Sequence, residues 1–223
     1  EDVRVTGVSD RYSDRLEKAA KQVQDVYGKA PNAATDYRRL LEDPELDAGI
    51  TPSSWTSHAQ ICLDTMEAGK YAATEVGGAT SIEQCWNLVR TSERTGKPCM
   101  LLENCCYGKE EMTLLNMVRQ GIFGELVHCQ GGYQHDLRSE IGRGDIDRHY
   151  RQDNFLRRNG ELYPTHELGP IAKYLDLNRG NRMLSLVSMA SKARGQTAWL
   201  KENRPDDKLA NATFNQGDIV TTM

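Results

Sequence analysis

The chain contains no G-x-G-x-x-G turn, the glycine-rich loop that normally follows the first strand of a dinucleotide-binding unit. GRGDID at 142–147 lacks the third glycine and has no strand before it. No apolar run approaches the length that spans a bilayer, and mean hydropathy is −0.65. Basic residues form no stripe. Lys and Arg are interspersed with Asp and Glu at a net charge of −4, so nucleic acid is not an expected partner. The first ten residues, EDVRVTGVSD, lack the basic start and apolar core of a signal peptide. The six cysteines include no C-x-x-C, and adjacent Cys105–Cys106 suits neither a disulfide nor a zinc site. Buried thiols packed as small hydrophobes are expected instead.

What is present is an alternation of short strands and helices. VRVTGVSD (3–10) reads as a strand ending in an acid, followed by a polar amphipathic helix over about 12–27. Asp36 is placed to cap a helix that Pro44 ends. A short strand at 47–51 precedes a helix from His58 to Met66 that stops at Gly69. KYAATEV (70–76) is a strand. Ile82, Cys85, Trp86 and Val89 fall at i, i+3, i+4 and i+7, which predicts an amphipathic helix over 81–95 ended by Gly96. PCMLLEN (98–104) is again a strand. This alternation implies a parallel sheet covered on both faces. Asp10, Glu75 and Asn104 then tip the carboxyl edge of that sheet, where open α/β folds bind ligands. Each could equally be a helix cap.

The texture changes after Asn104. A helix over 110–120 stops at Gly121, and ELVHCQGGYQHD (125–136) reads as a strand entering a polar loop. IGRGDIDRHYRQDNFLRRNG reads as one long loop, and MLSLVSMAS (183–191) as strand-like. The expected organisation is a partial dinucleotide-binding domain over 1–104 and a partial C-terminal domain over 105–223. The fold class is α/β: an incomplete Rossmann-like parallel sheet plus a partial α+β domain with an open mixed sheet. Asp10 occupies the place of the acid that holds the adenosine ribose, about 20 residues beyond a glycine turn. The chain therefore reads as a fragment that starts after that turn, and DIVTTM (218–223) as a strand cut mid-sheet.

GELYPTHELGPIAKYL (160–175) has two readings. It is the entrance to a helix with Leu168, Ile171, Ala172 and Leu175 facing the core, and Pro170 must lie in its first turn or kink it. Or Tyr163 and His166 carry chemistry: an imidazole exchanges protons near neutrality, and a phenol can donate to an oxyanion. On the plainer reading His166 bonds a neighbouring carboxylate such as Glu167. Tyr133, with His135 and Asp136, could stack on a sugar or merely close a strand end. His135, Asp136, His149 and His166 have no metal-ligand spacing, so no metal is expected.

ENCCYGKEEMTLLNMVRQGIFGELVHCQGGYQHDLR and RHYRQDNFLRRNGELYPTHELGPIAKYLDLNRGNR resemble the NAD-dependent glycosidases of glycoside hydrolase family 109. These lie within the oxidoreductase superfamily of glucose–fructose oxidoreductase and inositol dehydrogenase. The resemblance covers about Asp2 to Met223 and is most specific from Glu103 to Arg182. It implies an α-N-acetylgalactosaminidase with NAD as cofactor. It places cofactor contacts at Asp10, Trp55, Thr56, Ser57, His58, Glu75, Val76 and Asn104. Substrate contacts fall at Tyr133, Arg151 and the segment Tyr163, Pro164, Thr165 and His166, with Tyr163 and His166 as the catalytic pair. Only the resemblance selects Arg151 from its neighbours Arg148, Arg157 and Arg158.

The implied reaction oxidises C3 of the sugar, eliminates across C1–C2, adds water and re-reduces C3. Sugar dehydrogenases of the superfamily usually carry Glu-Lys-Pro where this chain has Glu75-Val76-Gly77, which disfavours the alternative of an NAD(P)-dependent sugar or polyol oxidoreductase. The expected partners are a glycan or other small-molecule N-acetylgalactosaminide and a second copy of the chain through the C-terminal sheet. The resemblance suggests a bacterial protein, exported in many relatives to the periplasm. With no phosphate-binding turn, this chain alone is expected to bind NAD weakly or not at all. A sub-micromolar Kd would overturn that expectation.

Overall fold

The computed structural model describes residues 3–223. The chain divides into two compact units, one ending at Leu102 and one beginning at Glu103. In the first unit the order is β1 (Gly7–Ser9), α1 (Ser13–Tyr27), β2 (Asn32–Ala34), α2 (Arg38–Leu41), β3 (Ala48–Thr51), α3 (Trp55–Glu67), β4 (Tyr71–Thr74), α4 (Ile82–Thr95) and β5 (Cys99–Leu101). Every strand pair here is parallel, as the strand–helix alternation requires. The strands form two pieces: β1 pairs with β2, and β3, β4 and β5 form a three-stranded sheet in that order.

The helix ends were set by local chemistry. Gly28 and Gly96 occupy left-handed backbone directly after α1 and α4, where other residues are strained. The Ser81 hydroxyl accepts the Gln84 N–H and starts α4. A small core of Cys62, Met66 and Ala72, with Leu63, Leu88 and Cys99 against it, joins α3 to the sheet. Buried Lys70 donates from Nζ to the carbonyls of Asp43 and Leu46, at 2.6 and 2.8 Å, tying the turn before β3 to the start of β4.

The apolar stripe of α4 does not face that core. Ile82, Trp86 and Val89 are 79%, 56% and 48% exposed, while Leu88 and Thr91 pack inward. Periodicity identified the helix but not the face that its neighbours cover. Cys85 is exposed for the same reason. Of the six thiols only Cys62 and Cys106 are buried, which corrects the expectation that most of them are.

The second unit runs through a 3-10 turn (Asn104–Tyr107), α5 (Lys109–Arg119), α6 (Arg138–Gly142), α7 (Arg151–Arg157), α8 (Thr165–Tyr174), β6 (Ser188–Ala190), α9 (Gly195–Asn203) and β7 (Val220–Thr222). Its core gathers Ile141, Leu200 and Phe214, flanked by Leu137, Phe155, Leu156 and Trp199. β6 and β7 form an antiparallel pair, so the second half supplies the antiparallel part of the fold.

Three expectations change here. The stretch at 141–160 is not one loop, because it contains the end of α6 and all of α7. Both are too short to show a helical period and are held by tertiary contacts, including Gln152 Nε2 donating to the Ile141 carbonyl at 2.9 Å. Residues 125–136 form no strand: no ladder partner adjoins them, and Val127 is 91% exposed. The strand-like run at 183–191 forms a strand only over Ser188–Ala190, with flanking backbone bonds at Val187 and Ser191. No helix among the described residues is long and apolar enough to cross a membrane.

The Asp218 carboxylate accepts the backbone N–H groups of Arg194 and Gly195 at 2.9–3.1 Å and so caps α9 from 23 residues away. Asp218→Ala is expected to lower the stability of this unit by about 1 kcal/mol, the usual loss for a removed cap, read as a shifted urea midpoint with unchanged m.

Candidate functional site

The second unit brings four of the expected residues, Tyr133, Arg151, Tyr163 and His166, into one cluster. His166 lies in the first turn of α8 and Tyr163 just before it. Their rings meet edge to face at 4.7 Å and 75°. Tyr133, from the coil that replaces the expected strand, lies 4.9 Å from the Tyr163 ring and 5.5 Å from His166. The Arg151 guanidinium stands over the Tyr163 ring at 5.0 Å. Pro164 and Thr165 connect Tyr163 to His166 and are half-buried. His135 stacks on Tyr133 at 4.4 Å on the outer side, and Asp136 pairs with Arg138.

The partner of His166 is not Glu167. It is Glu103, 63 residues upstream, whose Oε1 accepts from Nδ1 at 2.7 Å. Glu103 is 5% exposed. The same oxygen accepts the Cys105 N–H at 2.9 Å and so caps the 3-10 turn. The contact depends on close approach at Gly169, one helical step from His166. A Cβ there would come within 2.8 Å of Cys106 Sγ and 2.9 Å of Glu103 Cγ. Pro170 lies inside α8 and cannot donate the bond that the His166 carbonyl would otherwise accept. Leu168, Ile171, Ala172 and Leu175 are only half-buried, so this helix is not the buried element its apolar pattern predicts.

Burial works against the Glu103 charge. The bond from His166 opposes it, then the off-geometry attraction of the Thr165 hydroxyl and the Cys105 N–H. Together these hold the carboxyl below its ordinary range. A depressed folded value stabilises the native state above the ordinary carboxylate range, and that contribution is lost as pH falls through the folded value. Wild-type stability is therefore expected to fall more steeply on acidification than that of Glu103→Gln, as urea midpoints measured across pH would show.

Arg151 is held from the other side. Its Nη1 lies 3.2 Å from Glu140 Oε1, and His149 Nε2 lies 3.3 Å from the same oxygen. Burial disfavours the Arg151 charge, but Glu140 and then Tyr133 outweigh it and keep the guanidinium cationic. Glu103 and Glu140 are the functional candidates that residue-by-residue reading missed. Nothing local marks either, because each acts through a partner placed by tertiary structure.

In the first unit the expected nucleotide contacts sit at the carboxyl ends of the parallel strands. Trp55, Thr56, Ser57 and His58 form the first turn of α3 after β3, and Glu75 and Val76 follow β4. Trp55, His58 and Val76 are buried, while Thr56 and Glu75 are exposed. His58 Nε2 donates to the Ser53 carbonyl at 2.8 Å, leaving its buried Nδ1 without a hydrogen bond. Gly77 has φ +87°, and a Cβ on it would fall 2.2 Å from the Trp55 ring. An orphaned buried nitrogen and a backbone pressed against an indole at this edge fit a cradle for a flat nucleotide. Asp10 follows β1, in the separate two-stranded piece, with its Oδ1 accepting the Tyr12 N–H at 2.9 Å. Asn104 opens the 3-10 turn of the second unit. Asp10 therefore does not share one continuous sheet edge with Glu75, whereas β5, the strand before Asn104, lies beside β4 in the same sheet.

Residues 107–223 match the family model of the glycosyl hydrolase 109 C-terminal domain. The chain belongs to glycosyl hydrolase family 109. Residues 1–102 match the oxidoreductase family with an NAD-binding Rossmann fold. Similar proteins include glycosyl hydrolase family 109 protein 1 of Shewanella sp. (strain MR-4), 40% identical over 231 aligned positions, and a family 109 protein of Shewanella woodyi, 39% identical over 229. The matches cover all of this chain, and the chain spans about half the length of these relatives, 50% and 49%. Among solved structures, apo scyllo-inositol dehydrogenase from Lactobacillus casei matches with a TM-score of 0.64 at 13% identity, covering 89% of this chain and 53% of that one. An Agrobacterium radiobacter oxidoreductase in complex with NAD+, L-tartaric acid and magnesium matches with a TM-score of 0.63 at 19% identity, covering 97% and 54%. These structural likenesses establish the fold, a Rossmann-like α/β architecture.

Proposed function

We propose that this family 109 chain carries the cofactor and sugar contacts of an NAD-dependent glycosidase that removes terminal α-linked N-acetylgalactosamine. The observation that carries the reading is the His166 imidazole, fixed at Nδ1 by buried Glu103, with Tyr133 and Tyr163 beside it and Arg151 over the Tyr163 ring. With Nδ1–H donating to Glu103, Nε2 is the free base.

NAD, when bound against Trp55–His58 and Glu75–Gly77, supplies a reversible hydride acceptor for C3 of the sugar. His166 Nε2 takes the proton from the C3 hydroxyl as that carbon is oxidised and gives it back when the carbon is reduced. The C2 proton passes to solvent water, which later returns one there, and the Tyr163 hydroxyl donates to the oxygen that becomes negative as that proton leaves. Tyr133 offers a face for the apolar side of the ring, and Arg151 offers paired donors to its hydroxyls. This chemistry uses no pair of facing carboxylates of the kind ordinary glycosidases need.

The test supplies the full chain with NAD in large excess, because a weak cofactor affinity is expected, and an aryl α-N-acetylgalactosaminide in deuterated water. Aglycone release without net reduced cofactor, and deuterium at C2 of the product, are expected. Stoichiometric reduced cofactor from free sugar with no aglycone would replace this reading by a sugar oxidoreductase.

A further inference from the structure

The side of His166 that faces Glu103 also faces a thiol. Cys105 follows Glu103 by two residues, inside the 3-10 turn that Glu103 caps, and its thiol lies near the His166 ring. One donor atom each from Glu103, Cys105 and His166 lies within 4.8 Å of the other two. The set therefore combines oxygen, sulfur and nitrogen on two elements far apart in sequence. Glu103 is buried, and its Oε2 has no hydrogen bond, so a carboxylate oxygen remains to be satisfied. His166 and Cys105 are half-buried, which leaves the outer side open to water. Cys106 does not contribute: it is buried against Gly169.

We infer that Glu103, Cys105 and His166 form a binding site for a thiophilic divalent cation, zinc being the fitting ion, with water in the fourth position. Three protein ligands plus an open position is the arrangement of accessible zinc sites, and thiolate with imidazole selects zinc or cobalt over magnesium and calcium. Binding needs no oxidant. The Cys105 thiol gives its proton to solvent and binds as thiolate. The imidazole proton leaves Nδ1, which takes the metal, and a proton is held at Nε2 instead. No net charge change on the ring is required.

That tautomer change has a consequence. Nε2 becomes a donor and can no longer accept a proton, so the ion acts as an inhibitor of any chemistry that uses His166 as base. The consequence for turnover rests on the hydrolytic reading above, whereas the binding does not.

The test titrates zinc into the full chain by calorimetry in buffers of different ionisation enthalpy, and cobalt while following absorbance. One ion per chain, release of a proton, and a thiolate-to-cobalt charge-transfer band in the near ultraviolet are expected. Cys105→Ala should bind zinc at least about tenfold more weakly, since even an outer-shell change costs a metal site that much, and should lose the band. Cys106→Ala should keep both. Cys105→Ser, which preserves the shape of the side chain, gives the same reading should the alanine variant misfold. Unchanged zinc affinity in the Cys105 variants, or bound cobalt without a thiolate band, would overturn the site. If the metal-free chain releases no aglycone, the hydrolytic reading fails while the binding result stands.

Discussion

His166→Ala is expected to release aglycone from an aryl α-N-acetylgalactosaminide about 10²–10⁴-fold more slowly than the parent chain, the range for removing a general acid–base group. Substrate binding should change little, because Tyr133 and Arg151 remain. Glu103→Gln is the informative companion. A glutamine carbonyl can still accept from Nδ1–H, but its amide can also turn and donate, so the imidazole is no longer held in one tautomer. About 10–100-fold is expected to be lost, as for groups that orient a reacting residue rather than react. The loss should fall on kcat with KM unchanged, the signature of an interaction that matters in the transition state. The Nδ1–H proton resonance, shifted far downfield by the short bond to a carboxylate, should disappear as well. A purely structural role for Glu103 would instead lower the melting temperature and leave the kcat of the folded fraction intact. Equal turnover in His166→Ala and the parent would remove the imidazole from the mechanism.

Part of this architecture was legible in the residues and part was not, along a physical line. Helices α1, α3, α4 and α5 are local objects. Their periodicity lies within one segment, and positive-φ glycines at 28, 69, 96 and 121 mark where each gives way. The sequence pattern placed them to within a few residues. The short parallel strands were visible as apolar runs between those helices. What failed was everything decided by a distant partner. α4 exists as expected, yet its apolar stripe is turned outward, because a helix's buried face depends on what packs against it. Residues 125–130 have strand-forming composition but no neighbouring edge to pair with. α6 and α7 are too short for a period and exist because Ile141 and Phe155 enter the core with Leu200 and Phe214. The same line divides the site. Tyr163 and His166 share one short segment and could be suspected together. Glu103 could not be, since its bond to His166 spans 63 residues. The resemblance to family 109 supplied Tyr133 and Arg151, and the fold then placed both beside Tyr163.

Gly77→Ala should be the most damaging small substitution in the first unit. Two independent effects add there. Gly77 has φ +87°, a region that disfavours a Cβ by roughly 1–2 kcal/mol. The new methyl would also be built 2.2 Å from Trp55 Cδ1 and 2.6 Å from Nε1. Trp55 is 4% exposed at the start of α3, beside fully buried Ala59, so the ring cannot swing away without opening the unit. Overpacking of this kind costs about 1–3 kcal/mol, giving a total of about 2–5 kcal/mol. At about 4–8 °C per kcal/mol for a unit of this size, melting should fall by more than about 8 °C. Gly96→Ala is the matched comparison. Its φ is +68°, but a Cβ there meets nothing within 4 Å, so only the backbone effect applies. The difference between the two variants isolates the contact with Trp55. That contact lies between the turn after β4 and the first turn of α3, the two segments proposed to face the nucleotide. Gly77→Ala should therefore also weaken NAD binding at a temperature where the variant is still folded, and Gly96→Ala should not. Equal destabilisation by the two alanines would mean that the indole yields freely and that Gly77 does not set the shape of this edge.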